Sequence, residues 1–169
     1  MLALTKYASA IVESNCIACS NDLIAEAYFV SANIYFSQKK YDLAHKNYLK
    51  ADEINPYYQD NLNNLAFLYS ETGKWNDAII YYGKAISVHP TLYLYERRAT
   101  CYTFLKNYSE AEKDYSNVLM MDPTLSEAYF NRGVCYFYEQ KMEKACLDWK
   151  KASVLNYDKA NGYISTYCK

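Results

Sequence analysis

The chain has 169 residues, 51% of them hydrophobic, with only four glycines and three prolines. That apolar content builds a core and excludes disorder, while so few turn formers exclude hairpin-rich sandwiches, barrels and glycine-looped nucleotide folds. A net charge of -1, from 18 basic and 19 acidic residues, removes the sequence-independent attraction to nucleic acid or anionic membrane.

Self-similarity organises most of the chain. Pro56, Pro90 and Pro123 close three similar segments, KKYDLAHKNYLKADEINP, GKWNDAIIYYGKAISVHP and KNYSEAEKDYSNVLMMDP. Each is preceded by a second helical pattern: EAYFVSANIYFSQ, DNLNNLAFLYSET and LYERRATCYTFLK. A fourth copy follows without its proline. The period of 33 to 34 residues divides the chain into units at 25–58, 59–91, 92–125 and 126–159.

Residues 1–24 come first and read as an N-terminal helix. One period back from Tyr41 and Ala44 stand Tyr7 and Ala10, so residues 3–19 read as a worn half-repeat of a longer array. The opening MLALTKYASAIVESN lacks a sustained apolar stretch and makes a poor signal peptide. The longest uncharged stretch, Ala27 to Gln38, falls well short of the ~20 residues of a membrane helix.

Each unit then reads as two amphipathic helices. Tyr28, Ala32 and Tyr35 step along one helix face, and Tyr41, Ala44, Tyr48 and Ala51 along its partner. Small residues recur where helices must approach closely: Ala32, Ala66, Ala99 and Gly133 on the first helix, Ala44, Ala78, Ala111 and Ala145 on the second. Rings recur beside them at Tyr48, Tyr82, Tyr115 and Trp149, a large-against-small pattern that suits interlocked helices. Proline ends three units because it cannot continue a helix. The fourth has Tyr157 instead, which removes the need for a sharp turn. Residues 160–169 complete a short helix from about Asp158, whose Tyr163, Ile164 and Tyr167 cover the last apolar face.

The recurring aromatic, small, tyrosine, then aromatic, alanine, aromatic, alanine, proline pattern resembles the tetratricopeptide repeat family over four consecutive units. That resemblance implies an all-α, right-handed α-solenoid of helix–turn–helix repeats with a C-terminal capping helix. It also implies a concave groove, walled by the first helices, that binds a peptide or partner protein. The wall positions carry Phe29, Asn33 and Phe36, then Asn63, Asn64 and Phe67, then Tyr93, Arg97 and Phe104, then Phe130, Asn131 and Phe137. All six phenylalanines fall there; packing between first helices or under the cap is the competing reading for the set. A subtype of the family clamps a free carboxylate with lysines, asparagines and an arginine. Asn33, Asn64 and Arg97 match that clamp, but Phe29 and Tyr93 stand where it has lysine, so a poor grip on a carboxylate is expected.

Catalytic signals are missing: no G-x-S-x-G, phosphate-binding glycine loop or H-E-x-x-H occurs. No enzyme activity, cofactor or metal is therefore expected. Cys16 and Cys19 form a CxxC without further ligands nearby and read as helix packing residues. Cys101 and Cys135 share one repeat position and read as core. Cys146 and Cys168 are read as free thiols, the alternative being a disulfide that staples the cap. Cysteine usage favours a reducing compartment, and export applies if a leader has been removed. The function expected is a non-catalytic protein-binding module; self-association through the solenoid ends, or an accessory role in a larger or chaperone-type assembly, is the competing expectation.

Overall fold

The computed structural model describes residues 17–169, with side chains from 21 onward. Cys16, the Cys19 side chain and most of the half-repeat expected over 3–19 lie outside the described residues. Among the described residues there are nine helices and no strand.

The chain divides into two compact units, one ending at His89 and the other running from Pro90 to Lys169. The first holds α1 (Ile17–Ser37), α2 (Tyr41–Ile54), α3 (Gln59–Glu71) and α4 (Trp75–Val88). Helix α1 reaches well ahead of residue 25 and is the longest element, at 21 residues. The second unit holds α5 (Leu92–Phe104), α6 (Tyr108–Met121), α7 (Ser126–Tyr138), α8 (Met142–Val154) and α9 (Lys159–Tyr167).

Each unit is organised around the small residues picked out by the repeat. Ala32, Ala44, Ala66 and Ala78 are fully buried in the first, with Tyr48 and Tyr82 sealed beside them. Ala99, Ala111 and Tyr115 share one buried cluster in the second, and Ala145, Trp149 and Ala152 another. Val118, which breaks the alanine pattern, packs in the core with Leu119 and Ala128. Alanine at these positions leaves room for a ring on the facing helix, and burying that ring stabilises the pair by about 1.5–3 kcal/mol.

The turns inside the helix pairs repeat one geometry. Lys39, Gly73, Lys106 and Gln140 all have positive φ, between 58° and 72°. The amides that follow reach back five residues: Lys40 to Tyr35, Lys74 to Tyr69, Asn107 to Tyr102 and Lys141 to Tyr136. This is the Schellman closure, which satisfies carbonyls left over at a helix end.

Between repeats the proline takes over. Asn55, His89 and Asp122 each precede a proline and are extended, as the proline ring requires of the residue before it. The fourth repeat lacks the proline, yet the chain still turns. Asn156 adopts φ 66°, and Tyr157 N–H donates to the Ala152 carbonyl. The sequence reading allowed a gradual exit at Tyr157; a left-handed asparagine supplies the sharp turn instead, since Asn tolerates that conformation.

Cys146 and Cys168 are joined by a disulfide, with Cα atoms 5.6 Å apart. This corrects the reading as free thiols. Sequence spacing could not reveal that α9 folds back along α8 and brings the two sulfurs together. Cys101 and Cys135 are buried free thiols. Burial pushes them up to about 11 and about 12, so both stay protonated and unreactive at neutral pH.

Candidate functional site

In the first unit, α1 and α3 lie side by side and present one face built from their polar and aromatic residues. Asn33 and Asn64 meet across them: Asn64 Nδ2 donates to Asn33 Oδ1 at 2.9 Å. Tyr48, on α2 beneath, donates its hydroxyl to the same oxygen at 2.6 Å. Burial raises the Tyr48 phenol to about 12, which keeps it a donor at neutral pH. Asn63 Nδ2 donates in turn to Asn64 Oδ1 at 3.2 Å. Asn33 therefore has its oxygen occupied by two donors, and its NH2 group is left over.

Rings flank this amide row. Phe36 and Phe67 lie with centroids 5.6 Å apart, and Phe36 also leans on Tyr41. Phe29 meets Tyr58 edge-on at 5.0 Å and Tyr48 at 6.2 Å. Phe29, Asn33, Phe36, Asn63, Asn64 and Phe67 are each half-buried. Their bases are locked by packing while part of each surface stays in water, the arrangement of a preorganised contact surface.

The second unit carries the other six residues, on α5 and α7. Tyr93 is exposed, with the Arg97 guanidinium over its ring at 5.0 Å, a pairing that fixes the arginine's direction. Burial and the neighbouring Glu127 carboxylate push the Glu96 carboxyl up, with Arg97 partly opposing them. Phe104 is 61% exposed. Asn131 is half-buried.

The two remaining phenylalanines lie under the cap. Phe130 is 8% exposed, held between Tyr157 at 5.1 Å and Tyr163 at 5.0 Å. Phe137 meets Tyr167 at 4.8 Å. A partner could reach Phe130 only if α9 moved.

Several contributors escaped the sequence reading. Tyr48 was assigned to the core, and its hydroxyl reaches Asn33 from below. Two ion pairs with buried carboxylates were also missed. Arg98 holds Asp114 through two bonds of 2.8 Å, and Arg132 holds Asp148 at 2.7 and 2.9 Å. Their signal was present, since each residue of the second pair follows its counterpart in the first by one repeat. No group of three or more potential metal ligands occurs among the described residues, and no helix there is long and apolar enough to cross a membrane.

Comparison with known proteins agrees with this architecture. Sequence profiles of the tetratricopeptide repeat match residues 25–58 and 92–125, and a second profile of the same description matches 62–89. The human DnaJ homolog subfamily C member 7 is 30% identical over 89% of this chain, which spans only 29% of that relative's length. YrrB, described as a TPR protein with an unusual peptide-binding site, superposes with a TM-score of 0.76 at 20% identity, covering 96% of this chain and 90% of that one. The first TPR of Spaghetti (RPAP3), bound to HSP90 peptide SRMEEVD, superposes with a TM-score of 0.61 at 27% identity, covering 65% and 90% respectively. The fold is thus an all-α helical-repeat solenoid with a C-terminal helix.

Proposed function

The chain belongs to the tetratricopeptide repeat family, and on that premise we propose that it is a non-catalytic module that binds an extended peptide segment of a partner protein. The segment lies along α1 and α3. The amides of Asn33 and Asn64 meet its backbone, and Phe29, Phe36 and Phe67 receive its apolar side chains. The observation that carries this reading is the Asn33–Asn64 bond set beside the Phe36–Phe67 contact. Amide groups can satisfy a peptide backbone whatever its sequence, while rings select for side chains.

Peptide-bound and peptide-binding relatives of the same fold support the reading. The ligand chemistry differs from a carboxylate clamp. Phe29 and Tyr93 offer rings where a clamp needs ammonium groups, so an apolar peptide is preferred to a charged terminus.

Selection from a displayed peptide library on the full chain tests this. Selected peptides should lose about tenfold in affinity with Asn64→Ala, the value of one hydrogen bond, and at least as much with Phe67→Ala. The peptide SRMEEVD and its C-terminal amide should bind equally weakly. Unchanged affinity in both variants, with helicity retained, moves the site elsewhere.

A further inference from the structure

The C-terminal helix covers the last repeat with rings and is fastened by a single covalent bond. Tyr163 lies on Phe130 and Trp149, both at 5.0 Å, and Tyr167 on Phe137 at 4.8 Å. Ala160 is fully buried in the same cluster. Polar attachment is sparse: Ser153 Oγ donates to Asn161 Oδ1 at 2.6 Å. Helix α9 has only nine residues, well below the roughly 12–15 at which an isolated helix becomes even marginally stable. Its order therefore depends on what holds it down.

The Cys146–Cys168 bond sits at the C-terminal end of that helix, directly after Tyr167. Both cysteines are half-exposed. They line an open cavity of about 380 Å³, together with Leu147, Lys150, Tyr167 and Lys169. Lys150 and Lys169 line the same cavity with Glu143, so its wall carries more positive than negative charge, which favours an approaching thiolate.

We propose that Cys146–Cys168 is a thiol-exchange site for a small dithiol, and that its reduction unlatches α9 from Phe130, Phe137 and Trp149. A thiolate of the dithiol attacks one sulfur and forms a mixed disulfide. The other cysteine leaves as a thiolate and takes up a proton. The second thiol of the reductant then closes on its own sulfur, releasing the remaining cysteine. Two electrons pass to the protein, the reductant becomes a cyclic disulfide and both cysteines become thiols. Without that bond the last turn of α9 is held by the non-covalent packing of Ile164 and Tyr167, so it opens more often than the helices it covers.

Amide hydrogen exchange on the full chain tests this, before and after millimolar dithiothreitol, with reduction followed by mass. The Cys146→Ser/Cys168→Ser double variant serves as a permanently unlatched form. Exchange in α9 is expected to rise roughly ten- to a hundredfold on reduction, with α5 and α6 unchanged. Acrylamide should quench Trp149 more strongly in a Trp75→Phe background. If the bond resists dithiothreitol in the folded protein, or α9 exchanges at the same rate once reduced, the proposal is overturned. Exchange rising equally throughout α5–α9 also overturns it, because the bond would then stabilise the whole unit. Reduced wild type decides the matter even if the double variant misfolds.

Discussion

The Trp149 indole occupies the space that a side chain on Gly133 would need. A Cβ added to Gly133 would lie 2.6 Å from Nε1 and 2.7 Å from Cδ1 of that ring. Trp149 is fully buried and cannot swing away. The other three repeats have alanine opposite tyrosine, as in the Ala99 and Tyr115 cluster. Gly133→Ala should therefore cost about 1–3 kcal/mol through overpacking. Adding Trp149→Tyr should recover part of that loss, because it recreates the pairing of the other repeats. Urea unfolding of the two single variants and the double variant measures the coupling, and additive losses would contradict it.

The left-handed turn positions offer stabilisation. Lys39, Lys106 and Gln140 hold positive φ with a full side chain, at a cost of roughly 1–2 kcal/mol each. Glycine removes that cost but gains freedom when unfolded. Each of Lys39→Gly, Lys106→Gly and Gln140→Gly should gain about 0.5–1 kcal/mol net. Gly73→Ala should lose a similar amount, as φ 72° is strained for alanine although nothing lies within 4 Å of its Cβ. Thermal unfolding midpoints order the four variants.

The Arg132–Asp148 pair is anchored on the acidic side. Asp148 is 9% exposed, whereas Arg132 keeps 20% of its surface in water. Arg132 also donates to Ser116 Oγ on α6 at 3.1 Å, which ties two repeats together. Removing the arginine strands the buried carboxylate, so Arg132→Ala should destabilise by about 3 kcal/mol, the lower end for buried pairs. Replacing both residues with apolar side chains of similar size should cost less. A denaturation series on single and double variants distinguishes these outcomes.

His45 gives the first unit a pH dependence. Burial lowers its pKa below 6.5, with nearby Lys74 adding to the effect and Asp42 and Asp77 opposing it. Its Nε2 lies 2.8 Å from the Tyr69 hydroxyl. Near 6.5 the unfolded chain binds more protons at this residue than the folded one does, so stability falls as pH drops through 6.5 toward the folded value. His45→Gln should flatten that fall. An NMR titration of the His45 ring should give a midpoint below 6.5, and a midpoint above it refutes the account.

The repeat made most of the fold legible. Alanine spacing located the helix contacts, and proline marked where Asn55, His89 and Asp122 must extend. What stayed hidden depended on three-dimensional return rather than on period. The Cys146–Cys168 bond forms because α9 folds back along α8, and Asn156 makes a turn that no proline announced. Within the candidate site, Asn33, Asn64, Phe36 and Phe67 were picked out by the wall positions that the family resemblance implies, where all six phenylalanines fall. That resemblance could not show that Phe130 is covered by Tyr163, nor that Tyr48 reaches Asn33, because both depend on side-chain reach between elements.

On the proposed binding mode, the Asn33 oxygen, taken up by Tyr48 and Asn64, would give this face a preference of its own. What Asn33 can still offer is N–H, so an incoming strand need supply only a carbonyl there. A proline or an N-methylated residue, which keeps its carbonyl and lacks the amide hydrogen, should be accepted at that register as readily as alanine. Proline-containing segments, unable to join a β-ladder, would lose nothing here.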